Sequence, residues 1–350
     1  MSINIKSHCF LLVDAQNLFH RQINMVNPAL GLDSMIGMAL HTILYSMRKE
    51  WNTFNGTHCV CFLEGHSWRK KVYPKYKYNR VVAAQAKTER EQEDGLILQG
   101  AFDDLVDFID THTNITVLRN PHAEADDMIA LWIESHPDDK HVLISSDSDF
   151  YQLLRFGNLT IYDPVKDIRV TQDGIRNDKG ELLEFVVDST AKIKPGKPNP
   201  AFTVDADWYN YALFLKCVRG DKTDNIFSAY PGVREKGTKT TVGIREAYND
   251  KAKGYAWNNF MNQRWVNENA KECIVKEEFE MNKLLIDLSE IPVDIKTECL
   301  TVIAEAVGRK NVPAVDIGVR FMKFAGRWAL TKIGNNSAQF MPMLKSKYME

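Results

Sequence analysis

The chain has 350 residues, 44 Lys and Arg against 46 Asp and Glu, and a formal net charge of −2 with 44% hydrophobic residues. That length holds one large domain or two smaller ones with real cores, and the near-neutral balance excludes a globally basic coat, so any cationic surface has to be local. No apolar run reaches the ~18 residues of a membrane span. The opening MSINIKSHCFLLVDAQN is too short and too interrupted for a secretory signal. The six cysteines (Cys9, Cys59, Cys61, Cys217, Cys273, Cys299) lack CxxC spacing and His partners, so a zinc site or a disulfide framework is not expected and a cytoplasmic location is.

In chain order, the apolar run Cys9–Val13 suits a strand buried on both faces. Asp33 is placed to cap a helix over Met35–Lys49, where Ile36, Ala39, Leu40, Ile43, Leu44 and Met47 share one side. His58–Leu63, Ile115–Leu118 and His141–Ser145 read as further strands, with a helix over Ala123–Glu134 between the last two. Strand–helix alternation of this kind predicts an α/β fold with a doubly wound, mainly parallel sheet. Residues 158–200 read as a small β excursion (Leu159–Tyr162, Ile168–Thr171, Leu182–Val187) ending in a Pro/Gly/Lys-rich loop or linker, Lys194–Pro200. From Asp205 the pattern turns helical: Trp208–Val218, Gly243–Tyr248, Lys271–Leu288, Lys296–Val307 and Val315–Ala325. The expected organisation is an α/β domain over 1–200 and a helical C-terminal domain over 201–350.

Carboxylates follow the predicted strands: Asp14 in LLVDAQN, Glu64 in CVCFLEG, Glu124, Asp126 and Asp127 in AEADDMIAL, and Asp147 and Asp149 in LISSDSDF. Asp221 and Asp224 in RGDKTDN form a later pair. Taken singly, each has an ordinary explanation as a helix cap, a turn residue or first-turn charge. Taken together they fall at the carboxyl ends of one sheet, where doubly wound folds bind ligands. So many acids in one place need cations to stay ionised. An all-oxygen set suits a hard ion such as Mg²⁺ or Mn²⁺, and the chemistry expected is metal-assisted attack on a phosphodiester.

From Gly65 to Thr88 there is no acid, but Arg69, Lys70, Lys71, Lys75, Lys77, Arg80 and Lys87 interleave with Trp68, Tyr73, Tyr76 and Tyr78. Cations for phosphates and aromatic faces for bases suit single-strand binding. With the mixed-charge stretch Glu89–Asp110, this predicts a mobile helical arch at about 65–110, rooted beside the metals.

The segments LLVDAQN, FLEGHSWRKKVYPKYKYNR, AEADDMIAL, LISSDSDFYQLL and CVRGDKTDNI occur in that order across roughly residues 8–250. They resemble the motif series of the 5′-nucleases, the family of flap endonucleases and of the 5′→3′ exonuclease domains of bacterial DNA polymerases. The likeness leans toward the phage T-even ribonuclease H branch, on the turn after GDKTDN and on NKLLIDLSEIP. The resemblance implies two Mg²⁺ ions, with Mn²⁺ able to substitute. Asp14, Glu64, Glu124, Asp126 and Asp147 would hold the first, Asp149, Asp221 and Asp224 the second, with Asp127 orienting the others. It further implies Lys77 and Arg80 on the scissile phosphate, Tyr76 stacked on the terminal base, and Arg69, Lys70, Lys71 and Lys75 along the nucleic acid.

Residues at about 205–250 match the family's helix–hairpin–helix element, with Arg234, Lys236, Lys239 and Arg245 reaching the backbone of intact duplex. Two departures stand out. Glu64 replaces the family's usual Asp, and the hairpin YPGVREKGTKT is longer than the compact form that carries a monovalent-cation site. The implied activity is 5′→3′ exonuclease and 5′-flap endonuclease action on DNA and RNA–DNA duplexes, in removal of RNA primers during phage DNA replication. The implied partners are forked, flapped or nicked DNA, a sliding clamp and a single-stranded DNA-binding protein, for a monomer acting in the host cytoplasm. The rival readings are a PIN-like endoribonuclease, which would lack the arch and GDKTDN, and a non-catalytic DNA-binding module, which would lack some of the acids.

Overall fold

The structure is a computed structural model that describes residues 7–188 and 190–348. The opening residues MSINIK, part of the segment judged unlike a signal, lie outside the described residues.

Strand β1 (Cys9–Asp14) is buried at all six positions. Cys9, Leu11 and Val13 enter one apolar layer, while Phe10 and Leu12 enter the other; two-sided burial is what a central parallel strand requires. β1 pairs in parallel with β2 (His58–Phe62) on one side and with β4 (Lys140–Ile144) on the other. β3 (Thr116–Leu118) adds outside β2 and β5 (Leu159–Asp163) outside β4, both parallel. The order β3-β2-β1-β4-β5 reverses direction at β1 and β4, which makes the crevice above their carboxyl ends the switch point of the sheet.

Helix α1 (Ala15–Met25) follows Asp14 without a loop, and α2 (Leu32–Phe54) packs beside it on one face of the sheet. Gly31 stands at the cap position of α2, so Asp33 lies in the first turn, where it complements the helix dipole rather than capping it. The basic segment forms α3 (Arg69–Val72), α4 (Tyr78–Gln85) and α5 (Glu89–His112). Ala101, Phe102, Leu105, Phe108 and Ile109 anchor the second half of α5 in the α1–α2 layer, whereas α4 buries no residue. α6 (Ala125–Ser135) covers the opposite face.

The β excursion continues the same sheet. β6 (Ile168–Thr171), β7 (Gly174–Asn177), β8 (Leu182–Val187) and β9 (Ile193–Pro198) extend it antiparallel from β5, to nine strands among the described residues. The stretch expected as a linker, Lys194–Pro200, is therefore mostly an edge strand. Pro195 and Pro198 cannot donate to a ladder, and an outermost strand is where a sheet tolerates them.

Beyond it come α7 (Trp208–Arg219), α8 (Ile244–Asn249), α9 (Tyr255–Met261) and α10 (Val275–Ile286), which share a third apolar cluster. The helix expected from Lys271 starts only at Val275, because Glu272–Ile274 pairs antiparallel with Arg264–Val266. α11 (Val293–Ala304) joins the α6 layer and α12 (Ala314–Arg327) the α5 layer, so the helical region clasps both faces of the sheet. The terminal segment packs too: Met343 and Leu344 are fully buried, and the Asn114 N–H donates to the Leu344 carbonyl at 2.8 Å. All six cysteines are buried free thiols.

Candidate active site

One cavity of about 1190 Å³ opens at the switch point, and eight of the nine expected acids line it: Asp14, Glu64, Glu124, Asp126, Asp147, Asp149, Asp221 and Asp224. Each is aimed there by its backbone. Asp14 ends β1 at the N-cap position of α1, yet its carboxylate makes no capping bond; it accepts instead from the Ser145 hydroxyl at 2.8 Å, across the β1–β4 seam. Glu64 leaves β2 directly before Gly65, where a Cβ would lie 1.9 Å from the Asn120 carbonyl. Only glycine permits that close crossing, and it brings the Glu64 carboxylate within 3.2 Å of the Ala125 N–H. Asp147 precedes the 3₁₀ helix Ser148–Phe156 and accepts from the Asp149 N–H. Asp221 and Asp224 sit in a turn closed by Asp221 and Ile226.

Asp127, the ninth acid, faces away from the cavity. It is fully buried, accepts from the Trp68 indole N–H at 3.1 Å and is gripped by both terminal nitrogens of Arg69, at 2.9 and 3.0 Å. Its Oδ2 also accepts from the Glu124 N–H at 3.1 Å. Asp127 is thus tied to Trp68, Arg69 and the Glu124 backbone and does not line the cavity.

The electrostatics are those of an over-filled acidic pocket. Burial first, then Glu64 and Asp147, push Asp14 up to about 7 against the opposing bond from Ser145. Burial and the nearby Asp149 push Asp147 up to about 6. Asp126 and Glu64 are also raised, chiefly by desolvation and then by facing carboxylates. Burial would raise Glu124 as well, but Lys77 and Arg69 outweigh it and hold it below its ordinary value.

Two lysines stand among the acids. Lys77 contacts Glu124 and lies 3.8 Å from Asp224. Lys216 contacts Asp149 and reaches Asp221 at 2.7 Å. Sequence reasoning missed Lys216. Its signal was present: it is a charge flanked by the apolar residues Leu215 and Cys217 of α7, one turn before the RGDKTDN carboxylates.

The basic segment divides in two, correcting the expectation that all of it faces nucleic acid. The Arg69 side chain is 2% exposed, its Nε donating to the Leu285 carbonyl and its terminal nitrogens to Glu124 and Asp127. It is a buried strut. Tyr76 is 4% exposed, its hydroxyl bonded to Glu124 and Asp224, so its ring is not open to stack on a base; the exposed ring here is Tyr78, at 53%. Lys70, Lys71 and Lys75 are exposed, as expected. Arg80 leans over the cavity, 2.7 Å from Asp224. Arg234, Lys236 and Lys239 are exposed on the α7–α8 connection, whose crossing is held by Glu246 accepting from the N–H groups of Gly237 and Gly243.

Among the described residues, no three His, Cys, Asp or Glu groups already converge as a ready cage for a metal ion. The donor set nevertheless fits a hard divalent cation: the acids lining the cavity offer only carboxylate oxygens, and several resist ionisation where they stand. Cations arriving there would take over the neutralising role that Lys77 and Lys216 now share.

Residues 9–180 match the family model of the 5′-3′ exonuclease N-terminal, resolvase-like domain. Among solved structures, the zinc-bound bacteriophage T5 5′-exonuclease superposes with a TM-score of 0.54 at 17% identity, over 85% of this chain and 98% of that one. A bacteriophage T5 flap endonuclease variant in a pseudo-enzyme–product complex with DNA and metal ions superposes with a TM-score of 0.52 at 17% identity, over 95% of this chain and 99% of that one. At that identity these likenesses speak for the fold, and they extend it past the family match into the helical region. By that match the N-terminal part of the chain, residues 9–180, is a 5′-3′ exonuclease N-terminal, resolvase-like domain.

Proposed function

We propose that the protein is a Mg²⁺-dependent 5′→3′ exonuclease and 5′-flap endonuclease that hydrolyses phosphodiesters in DNA and RNA–DNA duplexes, and that its task is removal of RNA primers during phage DNA replication. The observation that carries this reading is the convergence of eight carboxylates, Lys77 and Arg80 in one cavity. In this reading residues 1–200 carry most of the chemistry, while 201–350 hold intact duplex through Arg234, Lys236 and Lys239. Lys70, Lys71 and Lys75 follow the single strand as it enters.

Asp14, Glu64, Glu124, Asp126 and Asp147 would hold one divalent ion, and Asp149, Asp221 and Asp224 a second. Bound ions supply Lewis-acid stabilisation of the charge that builds on the attacked phosphate and the leaving oxygen. Lys77 and Arg80, released from Glu124 and Asp224, hold that phosphate in line. Buried Arg69 keeps Glu124 and Asp127 fixed while this exchange takes place.

The deciding experiment uses a 5′-labelled flap duplex with and without Mg²⁺, reading product lengths. Mg²⁺-dependent cuts at the flap junction and from the 5′ end are expected. Cleavage of unpaired RNA alone would favour the PIN-like reading, and duplex binding without cleavage would favour a non-catalytic module.

A further inference from the structure

We infer that Asn79 and Asn225 form a reciprocal latch joining the root of the arch to the Asp221–Asp224 turn, and that they act as positioning residues for Lys77 and Arg80. This rests on the nuclease reading above. Asn79, in the first turn of α4, donates from Nδ2 to the carbonyls of Lys222 (3.1 Å) and Thr223 (3.0 Å). Its Oδ1 accepts the Arg80 N–H at 2.9 Å, so one side chain ties the turn to the backbone of the clamp arginine. Asn225 answers from the other side, donating from Nδ2 to the Lys75 carbonyl at 2.8 Å. Between them the Lys77 N–H donates to the Asp224 carbonyl at 2.8 Å. Both Lys77 and Asn225 hold left-handed backbone, φ +55° and +60°, which Asn accepts more readily than most residues.

The charged links across this joint cannot be the lasting ones. Lys77 now pairs with Glu124 and lies near Asp224, and Arg80 pairs with Asp224. Those carboxylates are the proposed ion ligands and those cations the proposed phosphate clamp. When ions and phosphate enter, each charged partner is exchanged. The amide–carbonyl bonds are neutral and use no atom needed by ion or substrate, so they persist and keep the clamp in register with the carboxylates.

The test uses the full chain with Asn79→Ala, Asn225→Gly (which keeps left-handed freedom), their double variant, and Asn79→Gln, whose longer amide can still donate. Misplacing the clamp should slow single-turnover flap cleavage about tenfold to a hundredfold in each single variant. Duplex affinity without divalent ion should move by less than about threefold, since phosphate contacts elsewhere set it. The double variant should be non-additive, as expected for residues serving one joint, and Asn79→Gln should recover part of the rate.

A second readout needs no activity. In metal-free, DNA-free protein, Asn225→Gly should speed amide exchange at Lys77, in the other segment, by about tenfold or more. Unchanged cleavage rates, equal losses of rate and affinity, or unaltered exchange at Lys77 would each overturn the latch. If the parent protein cleaves no flap, the nuclease reading fails by itself, and the exchange measurement still decides whether the two segments are joined.

Discussion

Replacing Arg69 by Met tests whether the first arginine of the basic segment is a strut or a nucleic-acid contact. Its guanidinium is buried, with Nε 2.8 Å from the Leu285 carbonyl, one terminal nitrogen 3.0 Å from both Glu124 and Asp127, and the other 2.9 Å from Asp127. The Trp68 ring covers it at 4.5 Å. Methionine fills much of the volume but leaves fully buried Asp127 without its counter-charge and the Leu285 carbonyl without that donor. Breaking a buried ion pair from one side costs about 3–5 kcal/mol, a large share of the roughly 5–15 kcal/mol that holds a domain folded. The melting temperature should fall by on the order of 4–7 °C.

The assay is urea unfolding without DNA or metal, alongside duplex binding over a salt series and a Lys70→Met control. Exposed Lys70 should change stability by less than about 0.5 kcal/mol while lowering the salt slope of binding by about one. A stable Arg69→Met protein, within about 1 kcal/mol of its parent, with the binding defect expected of Lys70→Met, would refute the strut assignment.

Further expectations concern the acids, the clamp and two histidines. Asp147→Asn should abolish cleavage while leaving duplex binding intact, and retained turnover would count against a ligand role. Lys77→Ala should cut the single-turnover rate by orders of magnitude with a smaller effect on affinity; equal losses would make it a docking residue. Divalent ions should raise the melting temperature more at pH 8 than at pH 5. The raised folded-state values of Asp14, about 7, and Asp147, about 6, mean that metal-free stability is lost as pH rises from the unfolded carboxylate value of roughly 4 through those values. Equal stabilisation at both pH values would refute that strain.

Burial depresses His58 and His141 to about 3, so their contribution is complete above the unfolded value of roughly 6.5 and fades as pH falls toward 3. Among the described residues neither His141 ring nitrogen has a hydrogen-bond partner, and the ring stacks on Phe10. His141→Phe should therefore gain about 2–3 kcal/mol on its parent between pH 7 and pH 4.5 in urea unfolding; a pH-independent difference would show that His141 is not neutral in the fold.

Most of the acidic cavity was legible because its logic is local. An acid one to three residues past an apolar β run lands at the carboxyl end of a parallel strand, whatever the rest of the chain does. Asp14, Glu64 and Asp147 follow that rule. Asp127 could be separated from Asp126 only by the likeness to a family. Arg69 and Tyr76 misled because composition cannot tell a cation aimed at phosphate from one aimed at a buried carboxylate; the partners of Arg69 lie 55 to 216 residues away in sequence.

The sequence by itself determined the parallel core, the acidic edge and the order of the motifs, since these depend on periodicity and on which residue follows each strand. Tertiary structure alone decided which cations enter the pocket, that β9 closes the sheet's far edge, and that the Asp221–Asp224 turn is bonded to the root of the arch. Those outcomes depend on contacts between segments far apart along the chain. No local pattern encodes such contacts, because their geometry exists only once the three apolar clusters have formed.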